Sequence, residues 1–299
     1  MSRSASPGFV FGAAVTGIAV FSAMDAVMKG LALAIGTYNA VLWRTVAIFA
    51  ISGIVYAFRH PPRPSRAALK LHAIRGVVSA VMAFLFFWGL ARIPMAQSIA
   101  LCYIAPLLAL FLAAALLGEH IARATILASL IASAGVGVIL LGQAQAHASH
   151  SALLGVLATL TSAICYSYNI ILMRQQALVA QPDEITFFQS VTVGICFLLA
   201  APWFATVPPV AQIGPILLAA ALAAVSLAVL SWAYARGEAS YLAPTEYTSF
   251  VWATFFGFTL FHEVPSPFTI AGAALIIGGC LLAARRRAQA PVCDVEAAI

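Results

Sequence analysis

The sequence predicts an all-α, polytopic membrane protein with ten transmembrane helices in two inverted five-helix repeats. Composition is the first observation: 63% of the 299 residues are hydrophobic and 8% are charged, where soluble domains carry roughly 25% charged residues. The second is length, because apolar runs that reach the ~20 residues of a bilayer-spanning helix follow one another almost end to end. The third is a faint internal similarity between the two halves of the chain. The alternating ~10-residue segments of a membrane β-barrel are absent.

Polar punctuation cuts the chain into apolar segments at 8–35, 37–58, 68–91, 96–117, 124–142, 152–178, 184–205, 212–235, 240–261 and 267–284. The first is longer than the apolar core of a cleaved signal peptide, about 7 to 15 residues, and it contains Asp25 and Lys29, so it reads as a retained span. A very short connection at Gly36 makes the first two segments an antiparallel hairpin. The next connection, 59–70, is the most polar and proline-rich in the chain.

Lys and Arg gather on the cytoplasmic side of spans joined by short loops. With the N-terminus inside, that set is Arg3, Arg59, Arg63, Arg66, Lys70, Arg75, Arg123, Arg174, Arg236, Arg285, Arg286 and Arg287, which is 12 of the 15 basic residues. Lys29, Arg44 and Arg92 are the exceptions. Both termini are therefore expected in the cytoplasm, with the chain in the inner membrane. The net charge of +6 is a topology determinant that needs no nucleic-acid partner, and it can add attraction to anionic inner-leaflet lipid. Residues 285–299 read as a disordered cytoplasmic tail.

The halves align without a gap when Trp88 is set on Trp232, 144 residues later. Arg92 then meets Arg236, Tyr103 meets Tyr247, Glu119 meets Glu263, Gly135 meets Gly279 and Asp25 meets Asn169. One inserted residue brings Arg44 onto Gln189. The units are 1–143 and 144–284, followed by the tail. Five helices is an odd number, so the second unit enters the membrane from the opposite side. Two inverted halves around a midplane site are the architecture of alternating access, which argues for transport.

The paired junctions "LLGEHIARATI" (116–126) and "LFHEVPSPFTI" (260–270), each followed by a Gly-rich helix, resemble the drug/metabolite transporter superfamily, in particular its ten-helix EamA-domain members. The resemblance covers nearly the whole chain. It departs at Ala128, where the second copy has Gly272. It implies a transporter of a small-molecule substrate, similar to the bacterial aromatic amino-acid exporters, working as monomer or homodimer. Carriers of S-adenosylmethionine, nucleotide-related compounds or drugs share the architecture and remain alternatives.

Other function classes lack their residues. His60, His72, His120, His147, His150 and His262 fall in or beside loops, and no nucleophile with a base gathers at one depth as an enzyme requires. No P-loop is present, so ATP is not the direct energy source. Cys102, Cys165, Cys196 and Cys280 sit in apolar spans, and Cys293 in the tail, as packing residues rather than disulfide or metal ligands. No cofactor and no metal are expected. A channel would present carbonyl filters or charged rings, and a receptor needs no inverted repeat.

Candidate site residues are the polar groups inside apolar spans. Asp25 and Lys29 are one helical turn apart, acid first, the better orientation for a pair. Arg44 on the returning helix lies within ~5 Å of the depth of Asp25 at ~1.5 Å per residue, so an Asp25–Lys29–Arg44 network is expected in the outer half. It either neutralises itself to pack the first two helices, or borders the substrate path and binds an amino or carboxyl group; proton coupling through Asp25 is a third reading. Glu246 is either an interfacial acid near a helix N-terminus or a cavity residue, with Tyr247 and Pro244 shaping the pocket. Glu119 and Glu263 read as caps of their helix junctions.

Tyr166 and Asn169 share a helix face from which Tyr168 diverges; as buried polar tips they need partners, in interhelical hydrogen bonds or at the substrate. Tyr103, Tyr247 and Trp252 can stack on an aromatic substrate. Trp88 and Trp232 occupy matching helix ends, as belt residues or as lids on the two mouths. Pro106 removes a backbone hydrogen bond and kinks the fourth span, a hinge position or a packing irregularity. Ser129, Ser133 and Gly137, and Ala274 with Gly278, recur at four-residue spacing, where close helix approach is expected in a scaffold or dimer contact.

Overall fold

The computed structural model describes residues 6–59, 64–117, 123–145, 149–180, 182–237 and 239–288. They contain helices and no strand. In chain order the elements are α1 (Pro7–Ile35), α2 (Thr37–Arg59), α3 (Arg66–Leu90), α4 (Met95–Cys102), α5 (Ala105–Leu117), α6 (Arg123–Gln145), α7 (His150–Ala177), α8 (Pro182–Phe204) and α9 (Val210–Tyr234). The one-turn α10 (Ala239–Leu242), a 3-10 turn (Ala243–Tyr247), α11 (Thr248–Phe261) and α12 (Pro267–Ala288) complete them. Ten spans result, the fourth being α4 with α5 and the ninth α10 through α11. Seven stretches among the described residues are long and apolar enough to cross a membrane, with shorter apolar helices at 129–142 and 267–282. We call the side holding the start of α1 and the end of α12 the terminal face, and the other side the far face.

Local chemistry sets the ends. Ser65 Oγ accepts from the Ala68 amide (3.1 Å) to start α3, and Ser149 Oγ from the Ala152 amide (3.2 Å) to start α7, each satisfying one of a helix's orphan donors. Gly36 takes φ +79 between α1 and α2, a conformation glycine adopts without a Cβ clash. On the far face the start of α2 is tied to the end of α8. Trp43 Nε1 donates to the Thr206 carbonyl (2.9 Å), and Asn39 Oδ1 accepts from the Thr206 amide (2.9 Å).

The fourth and ninth spans are broken at equivalent depths. Pro106 has no N–H to give the Cys102 carbonyl, and the chain passes the gap in tighter turns, Tyr103 amide to Ala100 carbonyl (3.3 Å) and Ile104 amide to Leu101 carbonyl (3.4 Å). In the ninth span Pro244 opens the 3-10 turn that ends at Tyr247. Three hydroxyls cover carbonyls there: Thr245 bonds Leu242, Thr248 bonds Thr245 and Ser249 bonds Glu246, each at 2.6 Å.

The principal helix pairs cross between halves. α1 packs on α9 and α3 on α7; advancing α1 by one repeat gives α7, and moving α9 back gives α3, so the two interfaces are copies. α2 packs on α8 and α6 on α12, each a pair of repeat equivalents, and α4 packs on α11, joining the fourth span to its equivalent, the ninth. The buried apolar core runs through both halves as one body, with Met28, Leu31, Leu90, Leu101, Leu107, Ile139 and Ile276 at its centre.

Close approach of α6 to α12 falls on a face other than the expected one. A Cβ on Gly135 would stand 2.6 Å from the Gly272 carbonyl oxygen, and one on Gly272 2.6 Å from the Gly135 carbonyl. Gly137 and Gly278, from the four-residue stripes, have open space around them. Small-residue spacing marks a face that permits contact; the apolar Ala132, Val136, Ala273 and Ile276 beside Gly135 and Gly272 decide which face is buried. Gly272→Ala is therefore expected to lower unfolding stability in detergent micelles by about 1–3 kcal/mol, the usual cost of overpacking. Gly278→Ala, measured beside it, should be neutral or slightly stabilising because alanine is the better helix former.

Candidate functional site

Each break is closed by the other half of the molecule. The Tyr103 hydroxyl donates to the Tyr247 carbonyl (3.2 Å) and lies 2.7 Å from Ser249 Oγ, while Cys280 Sγ donates to the Tyr103 carbonyl (3.3 Å). The Tyr103 and Tyr247 rings meet edge to face, centroids 5.3 Å apart. The two tyrosines that the repeat aligns thus touch at the crossing of the two broken spans.

Asp25, 2% exposed, lies within electrostatic reach of Arg44 and of Cys102 at the first break. Its Oδ1 has no hydrogen-bond partner, nor has Arg44 Nε. The guanidinium rests over the Phe87 ring (4.9 Å to the centroid) and reaches Met24 Sδ at 3.5 Å. Opposite charges near each other, with polar atoms unused, form an arrangement that a dipolar ligand satisfies.

Lys29 is absent from this pair, which corrects the expected three-residue network. Its Nζ forms an ion pair with Glu263 and donates to the Ile93 carbonyl (2.8 Å). The reason lies in a turn: His262 takes the left-handed conformation at the end of α11 (φ 56), and the Glu263 amide folds back to the Gly257 carbonyl (3.0 Å). The carboxylate is thereby aimed into the bundle, where its second oxygen accepts from the Met95 amide (2.8 Å). Glu263 is a cap, of α4 rather than of its own junction, and an acid at a helix N-terminus is favoured by the backbone dipole. Glu119 lies outside the described residues.

Tyr166 is 43% exposed although it sits mid-helix on α7. Charges on Arg75 and Glu246, from α3 and the 3-10 turn, reach its hydroxyl, so the accessible side faces the interior between the halves. Glu246 Oε1 accepts from the Tyr234 hydroxyl at 3.0 Å. Asn169 is instead consumed in interhelical bonds: its Oδ1 accepts from Arg75 Nε (2.9 Å) and its Nδ2 donates to Ser79 Oγ (2.8 Å). Trp252 Nε1 is buried without a partner, and its ring meets Phe255 edge-on.

Both tryptophans aligned by the repeat, Trp88 and Trp232, carry an arginine one turn on. Arg92 stacks on Trp88 (3.4 Å) and donates to its carbonyl (2.9 Å); Arg236 does the same on Trp232 (4.6 and 3.3 Å). Trp88 and Arg92 line a far-face cavity of about 540 Å³ with Gly36, Tyr38, Asn39 and Phe204. Trp232 lies on the terminal face against Phe9 (5.7 Å). Among the described residues no His, Cys, Asp and Glu cluster could hold a metal ion.

Sequence reasoning missed a further polar group. His72, placed beside a loop, and Arg75, counted as a flanking charge, both lie inside α3, where they bond Glu184, Gln176 and Asn169. A signal was present: Arg75 sits well past the first turn of its span, deeper than a flanking charge needs to be.

A family model described as the EamA-like transporter family matches residues 9–141 and again residues 153–285. The chain belongs to the EamA-like transporter family. Similar proteins include the pseudopaline exporter of Pseudomonas aeruginosa, 26% identical over 89% of this chain and 93% of that protein. A riboflavin transporter of Rhizobium johnstonii is 28% identical over 93% and 92%, and a probable terminal-alkyne amino-acid exporter of Streptantibioticus cattleyicolor is 28% identical over 75% and 76%. A protein crystal structure shares the fold at a TM-score of 0.61, covering 95% of this chain and all of that one at 23% identity. Family membership and the apolar helices make this a multi-pass membrane transporter acting on a small molecule.

In this EamA-like bundle the Lys29–Glu263 pair is structural, and removing one member leaves a buried charge. Lys29→Met is expected to cost about 3–5 kcal/mol of stability. The Lys29→Met, Glu263→Gln double variant should regain most of it, a difference that a double-mutant cycle on unfolding in micelles measures.

Proposed function

We propose that this protein is an inner-membrane exporter of amino acids or related small zwitterions, working by alternating access with both termini in the cytoplasm. The observation that carries the reading is the Asp25–Arg44 pair, with an unbonded carboxylate oxygen and an unbonded guanidinium Nε at the break of the fourth span. A substrate ammonium completes Asp25 and a substrate carboxylate completes Arg44. Tyr103 and Tyr247 wall the site, and Tyr166 and Glu246 continue it toward the terminal face. Pro106 is the hinge, and Trp88 and Trp232 gate the two mouths. The basic residues concentrated toward the terminal face support the orientation. The repeat units 1–143 and 144–284 exchange conformations about the site, and the far-face cavity is the exit vestibule. The amino-acid exporter among the relatives supports the substrate class.

The test is counterflow of labelled amino acids, flavins and nucleosides into liposomes holding the purified protein. Exchange of neutral amino acids is expected. Asp25→Asn and Arg44→Gln should each weaken it about 10- to 100-fold, the worth of one charge-assisted hydrogen bond. Exchange of flavins or nucleosides alone, from folded protein, overturns the amino-acid assignment.

A further inference from the structure

Glu184, His72, Gln176, Arg75 and Asn169 form a continuous hydrogen-bonded ladder across α8, α3 and α7. Glu184 Oε1 lies 2.9 Å from His72 Nε2, His72 Nδ1 contacts Gln176 Nε2, Gln176 Oε1 accepts from Arg75, and Arg75 Nε donates to Asn169. His72 and Gln176 are 1% and 0% exposed. A branch joins Asn169 and Gln189 through Ser79 Oγ (2.8 and 3.0 Å). The ladder lies toward the terminal face, where α3 and α8 begin and α7 ends.

Donor and acceptor rules orient every member. A guanidinium only donates, so the oxygen of Gln176 must face Arg75 and its NH2 must face His72. The NH2 only donates, so His72 Nδ1 is a bare acceptor. The single imidazole proton is then on Nε2, donating to Glu184. The tautomer of the neutral ring is thus set by a residue two hydrogen bonds away.

A second proton on His72 destroys this order. It adds at Nδ1, where N–H then faces the NH2 of Gln176, donor against donor. Flipping the amide mends that contact but turns its NH2 onto Arg75, which also only donates. No rotation of Gln176 satisfies both neighbours. The new charge meanwhile strengthens the bond from His72 to Glu184, so protonation tightens α3 to α8 and releases α3 from α7. The ionisable and charged groups described around His72 are Glu184 on α8, Arg75 on its own helix and Tyr56 on α2, whose hydroxyl is within reach of Glu184. Phe188 stacks on the other side of the imidazole (5.2 Å).

The second repeat has nothing of the kind. Ile216, Ala219 and Ala223 stand where His72, Arg75 and Ser79 would, and Ala32 where Gln176 would, all buried. The ladder locks only one of the two equivalent interfaces, at one face.

We infer that His72 is a proton-binding site whose occupancy breaks the Gln176 link at the terminal-face end of the α3–α7 interface, so that a proton taken from that side is coupled to the conformational step of transport. The coupling to transport rests on the proposed exporter cycle; the proton site itself does not.

Two measurements on the full chain in nanodiscs and liposomes test it. Imidazole nitrogen NMR of histidine-labelled protein should show one ring, missing in His72→Gln, as the neutral Nε2–H tautomer at alkaline pH. In counterflow, wild-type exchange should change at least about fivefold between pH 5.5 and 8. His72→Gln, whose amide can face both Gln176 and Glu184, should exchange at a pH-independent rate. Gln176→Glu accepts from both Arg75 and protonated Nδ1 and keeps the ladder whole in acid, so its exchange should lose the acid transition, while the imidazole midpoint read by NMR should move up by about one unit or more. An Nδ1–H tautomer, or a pH profile that neither variant alters, overturns the inference. If wild type exchanges no amino acid at any pH, the substrate assignment fails, while the imidazole spectra still decide the proton site.

Discussion

Backbone groups inside a bilayer have no water to turn to, so every departure from helix must be satisfied by protein. Two spans of this bundle depart from helix at the same depth, and each is repaired by the other half. The Tyr247 carbonyl is met by Tyr103, and the Tyr103 carbonyl by Cys280. Within the ninth span its own threonines and serine add hydroxyl bonds to the carbonyls of Leu242, Thr245 and Glu246. This mutual repair requires α4, α11 and α12 to converge at one point. It also leaves irregular backbone, with dipoles uncommitted to a helix, beside Asp25.

The halves share a fold but differ in electrostatics. At the aligned positions one half has Asp25 and Arg44, opposite charges with unbonded atoms, and the other has Asn169 and Gln189, neutral amides bound through Ser79. Hydrogen bonding in the second half ties helices together, whereas the charges of the first leave polar atoms unused. A duplicated scaffold with equal halves would favour neither orientation. Unequal polar content lets solution conditions weigh one interface against its copy.

Much of the architecture was legible because the bilayer simplifies the rules. Segment limits from hydropathy fall within a few residues of the observed helices, and Pro106 marked the first break. The second break was harder to read, since Pro244 opens a 3-10 turn held by threonine hydroxyls, a feature of side-chain satisfaction rather than of hydropathy. Partners of buried charges were not legible. Lys29 was matched to Asp25 because i to i+4 spacing is visible in a sequence, whereas Glu263 is brought to it by a left-handed turn at His262 that no pattern announces. His72 and Arg75 were hidden by the same positive-residue bias that sets topology: a basic residue near a span's end is explained before its depth is weighed. Which face of α6 meets α12 was not legible, because Gly137 and Gly135 differ only in their neighbours across the interface.

One feature of the packing also bears on how the chain is made. Lys29 and its partner Glu263 are 234 residues apart, and α1, α3 and α6 find their main partners in the second half. At roughly 5–20 residues per second, the ribosome delivers Glu263 on the order of 10–50 seconds after Lys29 has entered the membrane. For that interval the ammonium has, of its two partners, only the Ile93 carbonyl of its own half, and its neutralisation waits on the last helices of the second.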